Sequence, residues 1–236
     1  MRAGVAFLVL SIWTCTAAQE TPQQTVLFQD DFSGEQLDAA RWVHTVLNDF
    51  EAEIVDLVNG RLRMAAATVG TDDATVKFHG LRTTEPVVDL SGGVEVGFNL
   101  DWNNQANGCY MTAGAYLCPT VAENPRDEPA WVGIQYIGVP PGKNGRCAIS
   151  VKRGSYEQRL LTENWPEERT GRPIGLLKVQ ITLDRNAIAI TENGQTILEA
   201  DGLNLDFDKA YLYLQHTSHS NYRTREVFFD NVVVNR

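Results

Sequence analysis

The chain has 236 residues, 43% of them hydrophobic and 21% charged, which is the composition of a globular protein and excludes bulk disorder. Thirty acidic residues against 20 basic ones give a net charge of −10, which argues against nucleic acid or an anionic membrane as a general partner.

From the N-terminus, Arg2, an apolar run from Val5 to Trp13 and the small residues Thr16-Ala17-Ala18 have the order of a secretory signal peptide, cleaved after Ala18. Cys15 raises a lipid-anchor reading, which Trp13 disfavours because such a box wants small residues. Residues 19–25 form a polar lead-in, and residues 26–236 form one domain. No later stretch approaches a membrane span, so the expected localisation is secreted, extracellular or periplasmic, with no membrane insertion.

The remaining chain has a period of two. Val94 to Leu100 and Leu177 to Leu183 alternate apolar with polar residues, as do the stretches around Ile188 and Ile190 and around Leu212 and Leu214. Val227 to Val234 is β-branched and aromatic. Asn59-Gly60 and Asn193-Gly194 are hairpin pairs, and residues 118–130 read as an insertion loop. The only helical hint is short, from Leu37 to Arg41, with Asp38 as its cap. These signals predict an all-β fold, an antiparallel jelly-roll β-sandwich of about 12–14 strands.

Once the signal peptide is removed, Cys109, Cys118 and Cys147 remain, without zinc-ligand spacing. An oxidising compartment predicts one bridge. Cys109 and Cys147 each open a strand-like run with one run between them. A meander puts both at one end of a sheet and Cys118 at the other, so Cys109–Cys147 is the expected pair.

Four segments carry a resemblance: Leu27 to Trp42, with Asp30-Asp31-Phe32, Gly34 and Leu37-Asp38; the hairpin Asp56 to Met64; Gly80 to Phe98; and Phe228-Phe229-Asp230-Asn231-Val232-Val233-Val234. Together they resemble concanavalin A-like lectin/glucanase domains over most of the mature chain. The resemblance implies that the first and last strands are neighbours. Asp31 and Asp230 would then meet, at a place where many relatives hold a structural Ca²⁺ ion. No organic cofactor is expected.

Relatives of this kind include lectins, binding modules, family-sixteen glycoside hydrolases and polysaccharide lyases. Those hydrolases present E-x-D-x-x-E on one strand. The corresponding strand here is Trp131-Val132-Gly133-Ile134-Gln135-Tyr136, and the motif occurs nowhere in the chain. Residue types used by lyases are present without the lyase motifs: His79, Arg82, Gln135, Tyr136, His216, His219, Tyr222 and Arg223. No residue is therefore assigned a catalytic role.

The candidate ligand-binding residues are aromatic platforms and hydrogen-bonding heads suited to a sugar. Trp131 and Gln135 share one face if Val132 and Ile134 point inward. Trp102 and Trp165 lie in polar loops. His216, His219, Tyr222 and Arg223 form a polar-aromatic cluster read as a loop between two late strands. His44 and His79 are isolated and read as satisfied or solvated. The expected function is a secreted glycan-interacting protein that binds carbohydrate on the concave sheet face. The alternatives are a polysaccharide-degrading enzyme, lyase or hydrolase, and a non-catalytic structural or protein-binding module.

Overall fold

The structure, a computed structural model, describes residues 24–47, 52–67, 76–101, 111–138, 146–164, 176–219 and 225–236. In chain order the strands are β1 (Val26–Asp30), β2 (Trp42–Leu47), β3 (Ala52–Leu57), β4 (Leu62–Ala67), β5 (Val76–Thr83), β6 (Val88–Asp89), β7 (Val94–Asp101) and β8 (Met111–Cys118). They continue with β9 (Ala130–Gly138), β10 (Arg146–Arg153), β11 (Tyr156–Asn164), β12 (Leu176–Leu183), β13 (Ala187–Glu192), β14 (Gln195–Asp201), β15 (Lys209–His219) and β16 (Arg225–Asn235). There are more strands than alternation predicts, because the two-residue β6 and the half-exposed β1 and β14 carry little period-two signal.

The strands form two sheets. Sheet one has the order β14-β13-β12-β7-β16-β4-β3, with β1 also on β16. Sheet two has the order β11-β10-β9-β8-β15-β5-β2, with β6 on β15. Neighbours pair antiparallel. The alternating runs supply the core. Val94, Val96, Phe98 and Leu100, with Leu177, Val179, Ile181 and Leu183, face Leu117, Val132, Ile134, Ile149, Leu212 and Leu214 across the sandwich. Burying so many aliphatic side chains, each worth about 1.5–3 kcal/mol, holds the two layers together.

Turn chemistry sets the register. Asn59 and Gly60, and Asn193 and Gly194, all adopt positive φ, the geometry of tight hairpin turns whose twist matches the strands. The helical hint at residues 37–41 is a single turn: the Asp38 carbonyl accepts from the Arg41 and Trp42 amides, and its carboxylate accepts from the Ala40 amide.

Candidate functional site

Val132 and Ile134 point into the core, so Trp131, Gly133 and Gln135 lie on the outer face of sheet two. Register then builds that face in rows. Gln135 sits opposite Gly114, Gly114 opposite Gln215, and Gln215 opposite Gly80. In the next row Gly133, Tyr116, Tyr213 and Arg82 stand side by side. Gly133 leaves room for a ring, since a Cβ there would lie 2.6 Å from Tyr116. Tyr116 meets Trp131 edge-on at 5.4 Å, and its hydroxyl accepts from the Gln135 amide. Arg82 lies over the Tyr211 ring at 5.3 Å and donates to the Thr83 carbonyl. Gln215 is buried, and neither of its amide heads has a hydrogen-bond partner among the described residues. Burial pushes the Tyr116 phenol far above its ordinary range and the Tyr213 phenol to about 12, so both are neutral hydroxyls and poor bases.

Trp131 does not offer a ring face. It is 2% exposed and packs with Tyr116, Cys118 and Tyr213. The 118–130 loop closes over this group. Trp131 Nε1 donates to the Arg126 carbonyl at 3.3 Å, and Lys152 Nζ donates to the same oxygen at 3.0 Å. The Tyr213 hydroxyl donates to the Thr120 carbonyl and accepts from the Ala122 amide, both at 3.0 Å.

His216 is also not where the sequence reading places it. It lies inside β15, not in a connecting loop, and shares the inward face of Leu212 and Leu214. It is fully buried between the sheets. His219 ends the same strand, opposite Val76. Trp102, Trp165, Tyr222, Arg223 and Cys109 lie outside the described residues. Met111 pairs with Gly138 and Cys147 with Tyr136, which puts the starts of β8 and β10 at one end and Cys118 at the other. Cys147 is buried, and the described residues contain no disulfide.

On β5, β8, β9, β10 and β15 the outer face carries no carboxylate. A retaining glycosidase needs two, about 5–5.5 Å apart. The positions of β9 that face outward hold Trp131, Gly133 and Gln135 instead.

At the chain ends, β1 pairs with β16, and Asp30 lies opposite Val232. Asp30 is fully used: one oxygen accepts from the Phe32 amide and the other from Trp42 Nε1, both at 2.8 Å. Trp42 is buried against Phe28 and Phe32. Phe32 and Asn231 both adopt positive φ, which is rare for side chains of this size and is imposed here by the surrounding bonds. Burial raises the Asp230 carboxyl above its usual range, and the charge of Asp31 adds to this.

A second polar group lies in the interior. Glu53 of sheet one accepts from His44 Nε2 at 2.8 Å and from His79 Nδ1 at 2.9 Å, both rings belonging to sheet two. His79 Nε2 is 2.6 Å from His216 Nδ1. Burial holds the pKa of His79 below the ordinary value against the pull of Glu53, and holds that of His216 well below it, so both rings are neutral. For Glu53, burial is outweighed by the hydrogen bonds from His79 and His44, which keep its pKa low. Sequence reading treats His44 and His79 as isolated because their partner comes from the other sheet.

No protein-family model matches the chain, and a search of curated proteins finds no match. Solved structures do match in shape. A GlcNAcα1-4Gal-releasing endo-β-galactosidase from Clostridium perfringens superposes with a TM-score of 0.65 at 11% identity, covering 94% of this chain and 65% of that one. The fold is a concanavalin A-like jelly roll. An endo-1,3-β-glucanase from Streptomyces sioyaensis gives 0.63 at 13% identity, covering 93% of this chain and 99% of that one. The globular domain of a calreticulin from T. cruzi gives 0.60 at 11%, covering 89% and 88%. At identities this low the likeness shows the fold alone, and the site has to decide what this chain does.

Proposed function

We propose that this protein is secreted and binds a glycan on the outer face of sheet two, without two-carboxylate hydrolysis. The observation that carries the reading is the outer-face row Gln135, Gly114, Gln215, Gly80 with Arg82 in the row beside it, Gln135 and Arg82 being only partly buried. Amide and guanidinium heads suit a hydroxyl-rich ligand, because several fixed hydrogen-bonding groups together set its orientation. Several solved relatives in shape are named for their action on glycans, which agrees with this choice of ligand class. A lyase reading is weaker, because a lyase base must lose its proton readily, whereas burial keeps Tyr116 and Tyr213 protonated and turns His216 inward.

The test is a glycan array on the mature chain, with reducing-end and unsaturated-product assays on pooled polysaccharides. Binding without product supports the reading. Release of reducing ends or unsaturated sugars overturns it.

We also propose a structural Ca²⁺ ion at Asp31 and Asp230. Their hard carboxylate oxygens suit that ion, and a cation would offset the negative charge of Asp31, which adds to the burial that raises Asp230. It would hold the chain ends together and take no part in chemistry. Chelation should lower Tm by the linkage RT ln(1 + [L]/Kd); an unchanged Tm and no calcium by elemental analysis would remove the ion.

A further inference from the structure

The interior histidine group ends at an open edge of the sandwich. His44 is on β2, the edge strand of sheet two, and Glu53 is on β3, the edge strand of sheet one. His79 lies on β5 behind them. The donor atoms of these three residues are all within 4.8 Å of one another. The His44 side chain is 46% exposed and that of Glu53 is 21% exposed, so the group has a path to solvent, while His79 closes it from inside.

We propose that His44, Glu53 and His79 bind a divalent transition-metal ion of the zinc class, with His216 as a positioning residue behind His79. Two imidazoles and one carboxylate form a borderline nitrogen and oxygen donor set, which suits Zn²⁺ and leaves a fourth position for water. Donors around tetrahedral zinc stand roughly 3.3–3.5 Å apart, given bonds of about 2.0–2.2 Å. The two gaps to Glu53 are 2.8 and 2.9 Å, so they must widen by about half an ångström while each hydrogen bond is exchanged for a metal bond.

The protons in this exchange balance. Facing an ionised carboxylate, His44 Nε2 and His79 Nδ1 each carry a hydrogen. His79 Nε2 then accepts from His216 Nδ1, and the buried Nε2 of His216 is left with no hydrogen-bond partner among the described residues. On metal binding His44 moves its proton to its other nitrogen. His79 releases Nδ1 to the ion and carries its hydrogen on Nε2, donating to His216 Nδ1. His216 in turn takes its own hydrogen onto Nε2. Each ring keeps one proton, and the unused nitrogen of His216 is what makes the shift possible. A metal-bound histidine held by a hydrogen bond from its second nitrogen is the usual way such a ligand is oriented. Because the ligands come from both sheets, the ion would pin β3 to β2 and β5.

The mature protein, stripped with chelator and returned to excess Ca²⁺, is titrated with Zn²⁺ by calorimetry and with Co²⁺ by visible spectroscopy. One Zn²⁺ per chain, a raised Tm and a tetrahedral Co²⁺ spectrum are expected. His44→Ala sits at a half-exposed position and should fold; it and Glu53→Gln should each weaken Zn²⁺ binding at least tenfold. His216→Gln should weaken it about ten- to a hundredfold and alter the Co²⁺ spectrum. Should that variant fail to fold, imidazole nitrogen NMR of the wild type reads the same role: Zn²⁺ should move the His79 proton from Nδ1 to Nε2 and place the His216 proton on Nε2. No Zn²⁺ uptake, or uptake unchanged in both His44→Ala and Glu53→Gln, overturns the site. Unshifted His79 and His216 protons at saturation overturn the role of His216.

Discussion

β15 carries two buried polar groups on its opposite faces, and they are finished in different ways. Outward, Tyr213 joins Tyr116 and Trp131, and the polar heads of Tyr213 and Trp131 end on backbone atoms of the 118–130 loop. Inward, His216 joins His79, Glu53 and His44, whose heads end on one another. The first group is a closed packing unit. The second reaches solvent at one end and keeps an unused nitrogen at the other. The contrast teaches that a dense polar-aromatic stretch of sequence is not itself a site: what matters is whether the fold has already supplied every partner.

The largest effect should come from breaking the closed unit. Trp131→Ala removes a buried indole and should cost about 3–5 kcal/mol in urea unfolding. His44→Ala, half-exposed, should cost no more than about 1 kcal/mol in chelator. Equal costs would erase the distinction between the two groups.

Next in size, Tyr213→Phe deletes the hydroxyl that satisfies Thr120 and Ala122 and should cost about 1–3 kcal/mol. Limited proteolysis within residues 118–130 should accelerate in the same variant. Unchanged cleavage would mean that the loop is held by other contacts.

The last effect is a pH dependence of the open group. His79 and His216 have pKa values below 6.5 in the folded state, so the unfolded chain binds more protons once the pH falls below that value. Stability should therefore decline as pH drops through about 6.5, with a slope of up to about 1.4 kcal/mol per pH unit for each proton. The lowered pKa of Glu53 acts only further down, since its contribution is present above its unfolded value and is lost as pH falls toward its folded one. Urea unfolding of wild type and His216→Leu in chelator between about pH 7 and 5 checks this, with the shallower slope expected for the variant.

Much of this was legible in the sequence. The runs at residues 94–100 and 177–183 are core strands because alternation places every second side chain inward. The opening motif has a physical cause: Asp30 ties the Phe32 amide to Trp42, which holds the end of the first strand to the start of the second. The meander also places Cys147 and the start of β8 at one end of sheet two. His216 was missed because His-Thr-Ser-His reads as a loop, although its even spacing from Leu212 and Leu214 already points it inward. The burial of Trp131 was not legible, since its cover is a loop whose path depends on tertiary contacts with Lys152 and Tyr213. The Glu53 group was not legible either, because its members come from both sheets.

The central claim is that the outer face of sheet two is the glycan surface. Hydrogen exchange on the mature protein, with and without an oligosaccharide taken from the array, tests it most directly. The account predicts slowed exchange in β5, β8, β9 and β15, and roughly thirtyfold weaker binding in Arg82→Ala and in Gln135→Ala. Protection confined instead to the cleft of about 680 Å³ at the chain ends, lined by Asp31, Leu37 and Asn231, with affinity unchanged in both variants, would contradict it.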